Sequence, residues 1–320
     1  MKIIRHSVLA FIVLAGIVAV AAAQTSPPAG SGGLVDSRTT LASRIGEADP
    51  SVLKMFADAG MGTPTPHRLT DDERSALVKA MDGLPPVHQR VLRERLRRIS
   101  FLDGMPNTAL TSTVNPDDAV RVYDLTIRAG VLRETTSQFL TWKERGCFDL
   151  ANSSRTVDVE AGSLDAIVYV LLHEATHMVD NALGLTPPPA DPVSASRPSA
   201  LVDGIWTNRL TIAAPYAGPL LEGLTYRRGG RAVPIADADA VYAALRRTPF
   251  VSLYASSNWH DDVAELVAWH YLTSRLRQPY RIVVRDAGRE VLSYEPMAAP
   301  LVQARLRLLT SFYDDGRVAP

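Results

Sequence analysis

Cysteine is nearly missing from this chain. One thiol, Cys147, stands in 320 residues. That excludes an intramolecular disulfide framework and any cysteine-rich zinc finger, and Cys147 reads as a small core residue. An excess of one charge is missing too. Lys and Arg number 34, as do Asp and Glu, so neither a nucleic-acid binder nor an acidic tail is indicated. Aromatic residues are 7%, few for a protein that stacks on sugars or single strands. Internal repeats are not visible. Gly229-Gly230 lacks the strand, glycine loop and helix order that phosphate binding needs. No apolar run reaches the roughly 20 residues of a bilayer span. What remains is a chain with 46% hydrophobic and 21% charged residues, able to bury a sizeable core.

The first residues differ from the rest. Lys2 and Arg5 precede an apolar run from Val8 to Val20, and Ala21-Ala22-Ala23 follows. This is the layout of a secretory signal. Cleavage near Ala23 is expected, giving a periplasmic or secreted protein, with membrane attachment only if the segment stays uncleaved. Residues 24–36 read as a flexible tether. Residues 37–114 are expected to be an N-terminal helical region. Thr70 and Glu73 form a capping box there, and Pro85-Pro86 opens an arginine-rich helix to about Ile99, read as a solvated face. From residue 115, strand alternation appears at 120–132 and 155–160, and a long helix follows from about Ser163 to Leu183. Further helices are expected at 136–145, 236–247, 259–276 and 297–313, with a hairpin around Ala287-Gly288. The fold class is α+β, mostly helical, with a small sheet.

One motif carries chemistry. His173-Glu174-Ala175-Thr176-His177 reads H-E-x-x-H. Helical spacing sets the two imidazoles on one face, a turn apart, where they can converge on one metal. Glu174 points about 100° away and can take a proton from a metal-bound water. The stretch before it, Leu164 to Leu172, is apolar nearly all round, as in a buried helix. Histidines and a carboxylate ending such a helix need partners.

These residues resemble the zincin metallopeptidases. The likeness is local to the motif and its helix. The metzincin branch is excluded, since Asp180 and Leu183 stand where its Gly and third His belong. The gluzincin branch takes a Glu from a later helix. That resemblance implies a zincin-like catalytic region over 115–320, one Zn²⁺ per chain and a peptide or protein substrate. Glu265, in an apolar helical stretch, is the expected third ligand, with Glu222 in a Glu-Gly pair as the alternative. Asp261, Asp262 and Asp180 are expected behind the ligands, where Asp261 or Asp262 orients a histidine. Tyr254 or His260 is expected to donate to a developing oxyanion. Competing readings are a zinc amidohydrolase acting on cell-wall peptide or another amide, a metal site without catalysis, and an exported helical binding module.

Overall fold

The computed structural model describes residues 34–187 and 199–313. The expected signal segment, most of the tether and most of the Pro-rich stretch after Leu183 lie outside the described residues. Helix α1 (Pro50–Asp58) begins at Asp49, whose carboxylate accepts the Ser51 N–H at 3.1 Å. A short β1 (Thr65–Pro66) leads to α2 (Asp71–Asp82). The expected capping box forms there: Glu73 N–H donates to Thr70 Oγ1, and Thr70 N–H donates to Glu73 Oε2. Helix α3 (Pro86–Arg95) starts at the proline pair but stops short of Ile99. Residues Leu96–Asp103 instead form β2, followed by β3 (Ala109–Thr113) and β4 (Tyr123–Arg128). Region 37–114 therefore carries strands as well as helices. The cause is long-range pairing: Ile99 and Phe101 lie parallel to Leu125 and Ile127 and are buried, which overrides local helix preference.

The sheet order is β1-β2-β4-β3, so β3 is an edge strand. Helix α4 (Thr136–Arg145) has a Thr135–Gln138 capping box. It is followed by β5 (Phe148–Asp149), by β6 (Arg155–Glu160) and by the long α5 (Ala166–Leu183). Gly184 ends α5 in the left-handed region, at φ 60°, where glycine carries no steric cost. Next come β7 (Trp206–Asn208), β8 (Thr211–Ile212), α6 (Pro219–Glu222) and β9 (Val233–Pro234). Then follow α7 (Ala238–Leu245) and α8 (Trp259–Ser274). Strands β10 (Arg281–Asp286) and β11 (Arg289–Tyr294) make the expected hairpin, and β10 also pairs with β6. The expected closing helix is broken: α9 (Pro300–Leu306) is flanked by 3-10 turns. The protein is thus α+β. Among the described residues no helix is long and apolar enough to cross a membrane.

One hydrophobic core crosses residue 114, joining Leu77 and Val91 to Leu171, Val267 and Phe312. Its centre is α5 against α8. Asp180 faces His260, Asp261 faces His177 and His173, and Glu265 faces His173 and Tyr169. As numbers rise on α8 they fall on α5, so the two helices run antiparallel. Helix α3 supports α5 from another side. His88 is fully buried, and its Nε2 lies 2.9 Å from Thr176 Oγ1. That hydroxyl donates to Leu172 O at 2.6 Å, so His88 must supply the proton of the shared bond. Burial pushes His88 down to about 3, and the ring is neutral.

His88 has a stated consequence for acid stability. Its folded value lies below the ordinary 6.5, so the unfolded chain takes up a proton first as pH falls. Stability from this group is complete above about pH 6.5 and is lost between there and about pH 3. By pH 5 the loss is about 2 kcal/mol. His88→Gln keeps a donor for Thr176 and does not titrate. Urea unfolding at pH 7 and pH 5 is expected to show a smaller drop for His88→Gln than for the parent chain.

Candidate metal centre

Three donor atoms converge where α5 meets the first turn of α8. His173 Nε2 and His177 Nε2 are 3.2 Å apart. Asp261 Oδ1 lies 3.5 Å from the first and 3.4 Å from the second. Ligands held tetrahedrally at zinc-like bond lengths are separated by about 3.3 Å, so the three atoms already have the spacing of a coordination face. All three side chains are buried or nearly so, and this group can accept a metal ion.

The local sequence explains why Asp261 is so placed. Asn258 caps α8, and its side chain accepts the N–H groups of His260 and Asp261 at 3.0 and 3.2 Å. Asp261 therefore sits in the first helical turn, where the helix dipole favours an anion. Its Oδ2 accepts from Ser257 Oγ at 2.9 Å and Asn258 Nδ2 at 2.5 Å. Oδ2 is thus committed to the loop, and Oδ1 is turned to the histidines. Burial pushes the Asp261 carboxyl up, but His173 and His177 outweigh it and hold it well below the usual carboxylate range.

Glu265, expected as the third ligand, is one turn deeper along α8. It engages the far side of His173: Nδ1 lies 3.1 Å from Glu265 Oε1, off the line of a good hydrogen bond. Tyr169 OH also donates to Oε1, Ser252 Oγ donates to Oε2 at 2.6 Å, and Lys143 Nζ approaches Oε1 at 3.5 Å. Burial raises the Glu265 carboxyl, yet Lys143 and His173 bring it down to about 2. Asp261, not Glu265, lies with the histidine Nε2 atoms, and Glu265 lies behind His173, at the position from which a carboxylate can orient a ligand ring. Burial alone would keep His173 neutral, but Asp261 and Glu265 raise it to about 9. The site attracts positive charge.

Other expected positions fall elsewhere. Glu222 is exposed on the short α6 and is not part of the donor group that the described residues form. Asp262 lies about 100° around α8 from Asp261, accepting from Arg305 at 2.7 and 2.9 Å and from Trp206 Nε1 at 2.9 Å. Asp180 accepts from Thr186 N and Oγ1 at 2.8 and 2.6 Å and so fixes the turn after α5. His260 receives Trp259 Nε1–H at 2.9 Å, and its Nδ1 lies 3.3 Å from Asp180 and from Thr186. Both its ring nitrogens are occupied outside the donor group, which leaves none for an oxyanion. Tyr254 lies beside His173, with ring centroids 5.6 Å apart. Burial, then Asp261 and Glu174, push its phenol well above the ordinary value, so it stays a donor.

A cavity of about 20 Å³, room for one water, is lined by His173, Glu174, Tyr254, Lys143, Phe139 and Thr108 among others. Glu174 is held at its edge by the sheet: Thr111 Oγ1 on β3 donates to Glu174 Oε2 at 2.8 Å. Lys143 Nζ sits 3.5 Å from the Tyr254 ring centroid and 3.1 Å from Tyr169 OH. Sequence reasoning did not find Thr111, Lys143 or Ser252. Tyr169 had a signal, four residues before His173 on the same helical face. Comparison with protein-family models, with curated proteins and with solved structures finds no match. The site's own geometry therefore carries the functional argument.

Metal content by elemental analysis is the direct check. The parent chain is expected to take up one ion per chain, and His177→Ala and Asp261→Ala to lose it. Glu222→Ala keeps it. Glu265→Ala retains the ligands but weakens uptake about 10- to 100-fold. Retention in Asp261→Ala together with loss of all ligand capacity in Glu265→Ala would restore the original assignment.

Proposed function

We propose that the protein is an exported zinc-dependent metallopeptidase of the H-E-x-x-H type, with His173, His177 and Asp261 as ligands and Glu174 as general base. The single observation behind this reading is the convergence of three donor atoms on one another, with one of them, His173, lining a water-sized cavity together with Glu174. Two imidazoles and one carboxylate suit Zn²⁺ and leave a fourth position open. The export expectation rests on residues 1–23 of the sequence, and a peptide or protein substrate, not a nucleic acid, is the expected partner.

Zinc, when bound, supplies a water with a pKa lowered toward about 7 and polarises a carbonyl. The chain's own residues do the rest. Glu174, steadied by Thr111, takes the water proton and passes it to the leaving amine. Tyr254, kept protonated by burial, donates to the oxygen that gains charge. Glu265 holds His173 in one ring orientation, and Lys143 and Ser252 hold Glu265. Edge strand β3 brings backbone N–H and C=O groups to the same cleft. An extended chain can pair with such an edge, which favours a peptide over a compact amide. A cavity of one water admits a peptide only when the wall formed by residues 107–109 and Phe139 gives way.

Glu174→Gln tests the enzyme reading against a binding module. It is expected to keep one zinc and lose peptide hydrolysis by about 10²- to 10⁴-fold. Thr111→Val, which leaves the carboxylate in place but unsteadied, is expected to lose about tenfold in kcat with zinc content unchanged. A zinc-loaded parent that hydrolyses no peptide in a diverse mixture would refute the reading.

A further inference from the structure

Outside the metal centre, one pair of side chains is built into the approach to the cavity. Phe139 and Thr108 both line the cavity. Each leads to the same place. On the helix side, Phe139 touches Trp142, three residues on along α4, with ring centroids 5.9 Å apart. On the strand side, Thr108 O accepts the N–H of Arg128 at 2.9 Å. The Arg128 guanidinium then lies over the Trp142 ring at 4.7 Å and approaches Phe139 at 5.8 Å. Glu134 grips both terminal nitrogens of Arg128 at 3.0 and 2.7 Å.

Two features of the pair are unspent. Trp142 is 44% exposed, whereas Trp206, Trp259 and Trp269 are buried. Arg128 Nε is buried and has no hydrogen-bond partner. A donor left so carries a desolvation cost that a ligand oxygen would remove. The clamp by Glu134 and the stack on Arg128 fix one face of the indole and leave its exposed side to solvent. We infer that Arg128 and Trp142 form a substrate subsite next to the scissile position, in which Trp142 packs an apolar or aromatic side chain and Arg128 Nε–H donates to a peptide carbonyl. The occupant is the substrate peptide itself, because Phe139, which lines the cavity, is in contact with both members of the pair. This rests on the metallopeptidase reading given above.

The test uses zinc-loaded full-length Glu174→Gln, which binds without turnover, and two blocked pentapeptides. One is all alanine and the other has a central phenylalanine. Trp142 is the exposed indole, so tryptophan emission reports occupancy directly. Affinities are read by calorimetry in every variant; the phenylalanine peptide is expected to bind about tenfold tighter and, where Trp142 is present, to shift emission to the blue. Adding Trp142→Ala abolishes the preference, and adding Trp142→Phe keeps most of it, with zinc content equal throughout. Arg128→Lys keeps the charge, loses the Nε donor and weakens both peptides alike. An unchanged preference in Trp142→Ala, or no preference in the parent, overturns the subsite. Failure of the metallopeptidase reading shows separately, as absent zinc or absent hydrolysis in the chain that retains Glu174.

Discussion

Buried charge has to be balanced where it lies, and that constraint organises this molecule. Asp261 and Glu265 on α8 face His173 on α5, next to Glu174, with Lys143 as the ammonium beside Glu265. Three carboxylates against one ammonium leave a deficit of two positive charges. A divalent cation supplies that amount. Without it the cluster turns to His173 and raises it to about 9. The proton and the metal are then alternatives for one place, and uptake of one displaces the other.

The supports of this cluster come from every part of the chain. His88 on α3 braces the motif helix through Thr176, Thr111 on β3 holds Glu174, and Lys143 on α4 holds Glu265. The larger hydrophobic core has a physical purpose in this light. A donor group spaced to within a few tenths of an ångström needs rigid elements on all sides. Residues before 114 and after 115 share that task.

The motif helix and the pairing of His173 with His177 on one face were legible in the sequence, because spacing on one helix is a local property. So were the Thr70 capping box, strand 155–160 and the hairpin at Ala287-Gly288, all set by neighbouring residues. The third donor was not. Asp261 and Glu265 are four residues apart and share a face of α8, so either could meet the histidines. Which one does depends on how far α8 slides along α5, and one turn is about 5.4 Å. Packing of distant residues sets that distance, through Asn258, Ser257 and the Asp262–Arg305 pair. The end of α3 failed for a related reason: the strand from Leu96 exists only because β4 lies beside it. Thr111 and Lys143 carry no local mark at all, since their importance lies in what faces them.

The Asp262–Arg305 contact has a consequence in time as well as in space. Arg305 also donates to Pro249 O and Leu201 O, so one guanidinium near the end of the described chain ties α8 to two earlier loops. The histidine pair leaves the ribosome more than a hundred residues before that tie can form. During synthesis the chain carries the motif without a fixed third donor. The three-donor group that could hold a metal ion is therefore fixed only after the histidine pair has long been made.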